Sequence, residues 1–122
     1  MKFVRETLSA VTVRRVTQGE IIVGNETIRD NVILYRDEAQ AGFAVSDPAA
    51  VTEADFAALV ERKPEIIIFG AGWTPTIPPR DVVFAMARHG IGFECMDTPA
   101  ACRTFNILVS EDRDVAAALV VV

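Results

Sequence analysis

Gly70-Ala71-Gly72 follows the apolar run Ile66-Ile67-Ile68-Phe69, and a glycine turn after such a run is where backbone amides can cradle an anion. The third glycine of a dinucleotide fingerprint is absent, and Trp73-Thr74-Pro75 stands where its helix would begin. An ordinary dinucleotide site is therefore not expected. Two readings of the turn stay open: a loop whose glycines let the backbone bend sharply beside a neighbour, or a backbone site for an anion or carbonyl. Helix starts at Ile77-Pro78 and Thr98-Pro99 would each offer free amides and a partial positive charge, and Arg80 would add a full one. Together they would suit a carboxylate or phosphate. The structural alternative pairs Arg80 with Asp97 across the edge and locks two loops.

Asp97-Thr98 is first of all a helix start, with Thr98 expected as the cap and Pro99 at the first helical position. Cys102 lies in the early turns of that helix, where the dipole and Arg103 would favour thiolate. Against a nucleophile stand the lack of a nearby His in sequence and the usual role of free cysteine as a small buried hydrophobe. Ala101, Phe105, Leu108 and Val109 form the expected core stripe, while Cys102, Arg103 and Asn106 share another face. Asparagine is a poor residue for a helix interior. A hydrogen bond from Asn106 to the Gly70–Trp73 loop would explain it, and a solvated side chain is the alternative. Trp73 either covers the turn or anchors a partner. The single histidine, His89, precedes Gly90 and reads as a cap or surface residue.

Positioning these residues requires strands and helices in alternation. The N-terminal half predicts short strands over Ala10–Val16, Glu20–Val23 and Thr27–Arg36, broken at Asn31, with Gly24-Asn25 as a tight hairpin. A further strand is expected over Ala41–Val45. The first helix begins near Thr52, with Asp55 as its reciprocal partner, and stops at Pro64. Ile66–Phe69 is apolar without alternation, which a central strand covered on both faces requires. Helices are expected over Pro78–His89 and Thr98–Ser110, and strands over Ile91–Met96 and Val115–Val122. The sum is an α/β chain: a single three-layer domain spanning residues 1–122, with a mixed central sheet, a βαβαβ C-terminal half and an N-terminal hairpin or meander layer.

Half of the residues are apolar, which excludes a disordered or collagen-like chain. A formal net charge of −5 and no basic tract argue against nucleic acid as a partner. No apolar stretch reaches the roughly 20 residues that span a bilayer. The first ten residues lack a signal-peptide core, so a cytoplasmic location is expected, with no membrane insertion. Cys95 and Cys102 are not in a Cys-x-x-Cys spacing, and one His with two Cys leaves zinc short of ligands. Neither metal nor cofactor is expected, and redox pairing of the two cysteines is a minor reading.

The segment Pro-Glu-Ile-Ile-Ile-Phe-Gly-Ala-Gly-Trp-Thr-Pro-Thr-Ile-Pro-Pro-Arg-Asp, followed by Gly-Phe-Glu-Cys-Met-Asp-Thr-Pro-Ala-Ala-Cys-Arg-Thr-Phe-Asn, resembles a family of small α/β domains of unknown function. That family includes mitochondrial complex I assembly factor 3. The resemblance implies a three-layer α/β domain and places Gly70, Gly72, Arg80, Asp97, Thr98, Cys102 and Asn106 at matching positions. Ala71 departs from it where some relatives are expected to carry a hydroxyl. It also implies action through protein partners.

Val82–Ala87 is apolar all round its helix, more than one sheet face requires, so another layer or a second subunit should cover it. The leading expectation is a non-enzymatic binding or assembly module that contacts another protein, or a second copy of itself, through the 70–80 edge and the second helix. The rival is a small anionic-metabolite site or weak enzyme using Arg80, Asp97 and Cys102 at the same edge.

Overall fold

The computed structural model describes residues 11–122. The first ten residues, on which the signal-peptide expectation and the Ala10 strand start rest, lie outside them.

Strands β1 (Val13–Thr17), β2 (Glu20–Val23) and β3 (Glu26–Ile28) form an antiparallel meander in the order β1-β2-β3. Gly24 takes φ +58° at the β2–β3 turn, a left-handed conformation that glycine reaches without cost. The second sheet contains β4 (Val32–Leu34), β5 (Ala39–Ala41), β6 (Ile66–Gly70), β7 (Gly92–Met96) and β8 (Val115–Leu119), in the order β5-β4-β8-β6-β7. It is mixed: β6 runs parallel to both β7 and β8, while β4 is antiparallel to β5 and β8.

Both faces of this sheet are covered, and the pleat divides its side chains between two cores. Ile68, Ala117, Leu119, Val32 and Leu34 join α3 (Thr98–Ser110) and the meander on one side. Ile67, Phe69, Ala116, Ala118 and Ile33 meet α1 (Ala57–Glu61) and α2 (Arg80–Arg88) on the other. The result is the three-layer α/β architecture expected. Three alanines in β8 keep the central layer thin, so helices approach it from both sides.

On the α1–α2 side, the rings of Phe43, Phe56, Phe69 and Phe93 lie with neighbouring centroids 5.4 to 6.5 Å apart, mostly tilted or edge to face. Such pairs contribute about 0.5–1.5 kcal/mol each beyond the area they bury. Phe43 and Val45 made the 41–45 segment look like a strand. Both do point into the core, but from a loop: Gly42 and Phe43 donate their amides to the Asn31 carbonyl, and the strand itself is Ala39–Ala41.

The first helix starts where expected, with the Asp55 carboxylate accepting the Thr52 amide at 2.8 Å. Its first turn, Glu53–Phe56, is 3-10, and α1 follows directly. Lys63 takes a left-handed φ of 52° just before Pro64, ending the helix.

From β6 the chain steps through α2 to the edge strand β7, then returns through α3 across β6 to β8. Crossovers of one hand that move in opposite directions place their helices on opposite faces. The loops leaving β6 and β7 therefore diverge at the carboxyl edge, which is where α/β sheets commonly open a crevice.

Candidate functional site

That crevice is filled. The Gly72 amide donates to Thr98 Oγ1 at 2.9 Å, and the Thr98 amide donates to the Gly72 carbonyl at 2.8 Å. The Thr98 hydroxyl in turn donates to the Val120 carbonyl at 2.7 Å, and the Val120 amide donates to the Gly70 carbonyl at 2.8 Å. Ala71 completes the seam by donating to the Met96 carbonyl. Thr98 has no exposed surface, so this polar junction is sealed and satisfied.

The two glycines serve the junction differently. Gly72 needs its freedom of rotation, with φ +97°. Gly70 needs its missing side chain: a Cβ there would lie 2.8 Å from Leu119 Cδ2, 3.0 Å from Ala101 Cβ and 3.2 Å from Thr98 Cα. The start of α3 thus rests directly on the end of β6, where a ligand would otherwise enter.

The amides expected to be free at the α3 start are all engaged. Asp97, not Thr98, is the cap: its carboxylate accepts the Ala100 amide at 2.8 Å and its carbonyl accepts the Ala101 amide. Pro99 consequently occupies the second helical position rather than the first. The helix begins one residue earlier because the Thr98 hydroxyl is committed to Gly72 and Val120.

Arg80 is exposed at the start of α2, and no ion pair joins it to Asp97 among the described residues. Asn106 does not reach the Gly70–Trp73 loop. Its Oδ1 accepts the Val13 amide at 2.9 Å and its Nδ2 donates to the Val13 carbonyl at 2.8 Å. Trp73 is half-buried, and Arg103 is exposed.

Cys102 is buried in the core on the α3 side, and burial pushes its thiol up to about 12, outweighing the opposing effect of Arg103. Desolvation thus defeats the helix start, the reverse of a thiolate site. Cys95 packs against the opposite core, where burial also raises its thiol pKa. The central sheet separates the two sulfurs, so they do not form a redox pair within the chain. Among the described residues, no group of His, Cys, Asp or Glu is placed to hold a metal.

The open feature is α2. Val82, Ala85 and Met86 are buried against the sheet, whereas Val83 and Phe84 are 40% and 56% exposed, and Ile77 in the loop before the helix is 88% exposed. Sequence reasoning detected the apolar surplus of this helix but not which residues carry it. It also missed Asn31, a buried side chain that accepts the Val121 and Val122 amides and donates to the Val45 carbonyl.

No helix among the described residues is long and apolar enough to cross a membrane. The mouse NADH dehydrogenase [ubiquinone] 1 alpha subcomplex assembly factor 3 is 36% identical over 107 residues, covering 85% of this chain and 56% of the relative. The chain therefore spans little more than half the length of that protein. A Francisella tularensis subsp. holarctica protein named 13 kDa major membrane protein is 27% identical over 89 residues, 73% of this chain and 68% of its own. Among solved structures, the NMR structure of a Xanthomonas campestris protein superposes with a TM-score of 0.81 at 32% identity, covering 91% of this chain and 84% of that one. Residues 13–120 match the family described as protein of unknown function, DUF498/DUF598. The chain belongs to that family, the one its central segment resembles, whose relatives include complex I assembly factor 3.

Proposed function

We propose that this chain is a non-enzymatic binding and assembly module that docks on another protein through the 70–80 segment and the outer face of α2. The observation that carries the reading is the exposure of Val83 and Phe84 on α2 and of Ile77 in the loop that leads into it. Large apolar side chains grouped on a surface favour burial against a partner. The relatives named as assembly factors support the same direction, and by analogy the partner is a subunit of a respiratory-type complex. The proposed setting is cytoplasmic, and recovery of the chain with membranes on cell fractionation would revise it.

A small anionic-metabolite site or weak enzyme would need the α3 amides free, with Arg80, Asp97 and Cys102 facing one opening. The engaged amides and the buried Cys102 favour the docking module instead.

The test is the double variant Ile77→Asp/Phe84→Asp. Both positions are solvent-facing, so the thermal midpoint should stay within a few degrees of the wild type while the proteins co-purifying from native cells are lost. An unchanged set of co-purifying proteins contradicts the proposal. A wild type that is dimeric in solution, and monomeric as the variant, would assign this face to a second copy of the chain instead.

A further inference from the structure

On the other side of the central sheet, a shallow recess of about 240 Å³ opens between β1 and the first half of α3. Arg14, Arg15, Val16, Arg103 and Asn106 line it, and no acidic residue does. None of its three arginines forms an ion pair with a described residue; Arg14 only donates Nη1 to the Gly24 carbonyl, at 3.2 Å. In a chain of net charge −5 this is a local concentration of unneutralised positive charge.

Among the described residues, the strand beside the recess is an edge of its sheet. In the β1–β2 hairpin Thr17 faces Glu20 across a two-residue turn, and Val16 faces Ile21. Antiparallel pairs alternate between exchanging hydrogen bonds and facing away, so the main-chain groups of Val16 point outward from the hairpin. Those of Val13, beyond the irregularity between Val13 and Arg15, also point outward, and the Asn106 amide takes both of them. Asn106 thus supplies the donor and acceptor that a neighbouring strand would supply, and the next outward pair, at Val16, has no described partner.

We propose that an extended acidic segment of a partner protein adds alongside β1 in this recess, its main chain bonding Val16 and its carboxylates meeting Arg15 and Arg103. Strand addition gives affinity through the main chain, and charge complementarity selects the acidic sequence. The shallowness of the recess suits side chains of a peptide laid across it rather than an enclosed metabolite. The proposal is independent of the α2 face, which lies across the sheet.

Two synthetic heptapeptides, alternating valine with glutamate or with lysine, test it by NMR titration of the full chain. The glutamate peptide should shift amide signals centred on Val13 to Val16 and Asn106. Arg15→Gln/Arg103→Gln should weaken binding roughly ten-fold, the scale of two exposed charge pairs. Raising salt from about 0.1 to about 1 M should weaken it as well, since the screening length shortens from about 10 to about 3 Å. A glutamate peptide N-methylated at alternate residues keeps the charge but loses main-chain donors, and should not bind; this arm holds even if the double variant fails to fold. Equal binding by the lysine or the N-methylated peptide overturns the proposal. So does reproduction of the same shifts by inorganic phosphate alone, which would leave a simple anion site.

Discussion

Thr98 and Gly72 exchange two main-chain-anchored hydrogen bonds, 2.9 Å from the Gly72 amide to the Thr98 hydroxyl and 2.8 Å from the Thr98 amide to the Gly72 carbonyl. This pair converts the carboxyl edge of β6 and β7, the usual place for a ligand crevice, into a joint between α3 and the sheet.

Replacing Thr98 by Val preserves shape but orphans the buried Gly72 amide and Val120 carbonyl, both of which the hydroxyl now satisfies. Each buried unsatisfied group costs about 1–3 kcal/mol, so Thr98→Val, which orphans two, should lose about 2–6 kcal/mol. Urea denaturation checks this as a lower midpoint with an unchanged slope.

Gly70→Ala should also destabilise, for a steric reason. The added methyl would meet Leu119 Cδ2 at 2.8 Å, Ala101 Cβ at 3.0 Å and Thr98 Cα at 3.2 Å. Leu119 is fully buried and the other two atoms move only with the α3 backbone, so relief requires the helix to shift. Overpacking of this kind costs about 1–3 kcal/mol, and Ala101→Gly introduced with Gly70→Ala should recover part of the packing term. Thermal unfolding of the single and double variants measures both.

Cys102 should resist alkylation in the folded chain at pH 8 and react once the chain is unfolded, because burial raises its thiol to about 12. The linked effect on stability has a definite sign. Well below pH 9.0, the ordinary thiol value, both states hold the proton and this group adds no pH dependence. Between that value and about 12 the unfolded chain releases the proton first, so stability falls as pH rises. Cys102→Ala should flatten that decline in denaturation curves recorded over the alkaline range. Rapid alkylation of native Cys102 would contradict the burial.

Much of the frame was legible because it rests on local rules. Ile66–Phe69 read as a doubly covered strand, Thr52 with Asp55 as a helix start, and the alternation after Pro64 as βαβαβ; the structure has all three. What stayed hidden depends on residues distant in sequence. Asn106 announced itself as costly in a helix, yet its partner Val13 lies 93 residues away, and nothing local distinguishes that strand from the glycine loop. Asn31 read only as a strand break, since the amides it binds at Val121 and Val122 are 90 and 91 residues distant. The cap at Asp97 rather than Thr98 follows from the tertiary bonds of Thr98, and propensity cannot separate two adjacent good caps before a proline. The exposed positions of α2 were likewise undecided until the sheet showed which side Val82 and Met86 face.

The most direct test of the docking module is photo-crosslinking in native cells from position 84 on α2, with position 107 on α3 as the control. Phe84 and Ile107 are equally exposed, at 56% each, so surface accessibility alone cannot separate them. A discrete protein adduct is expected from position 84 and none of the same mass from position 107. No adduct at position 84, or the same adducts from both positions, would contradict the docking module.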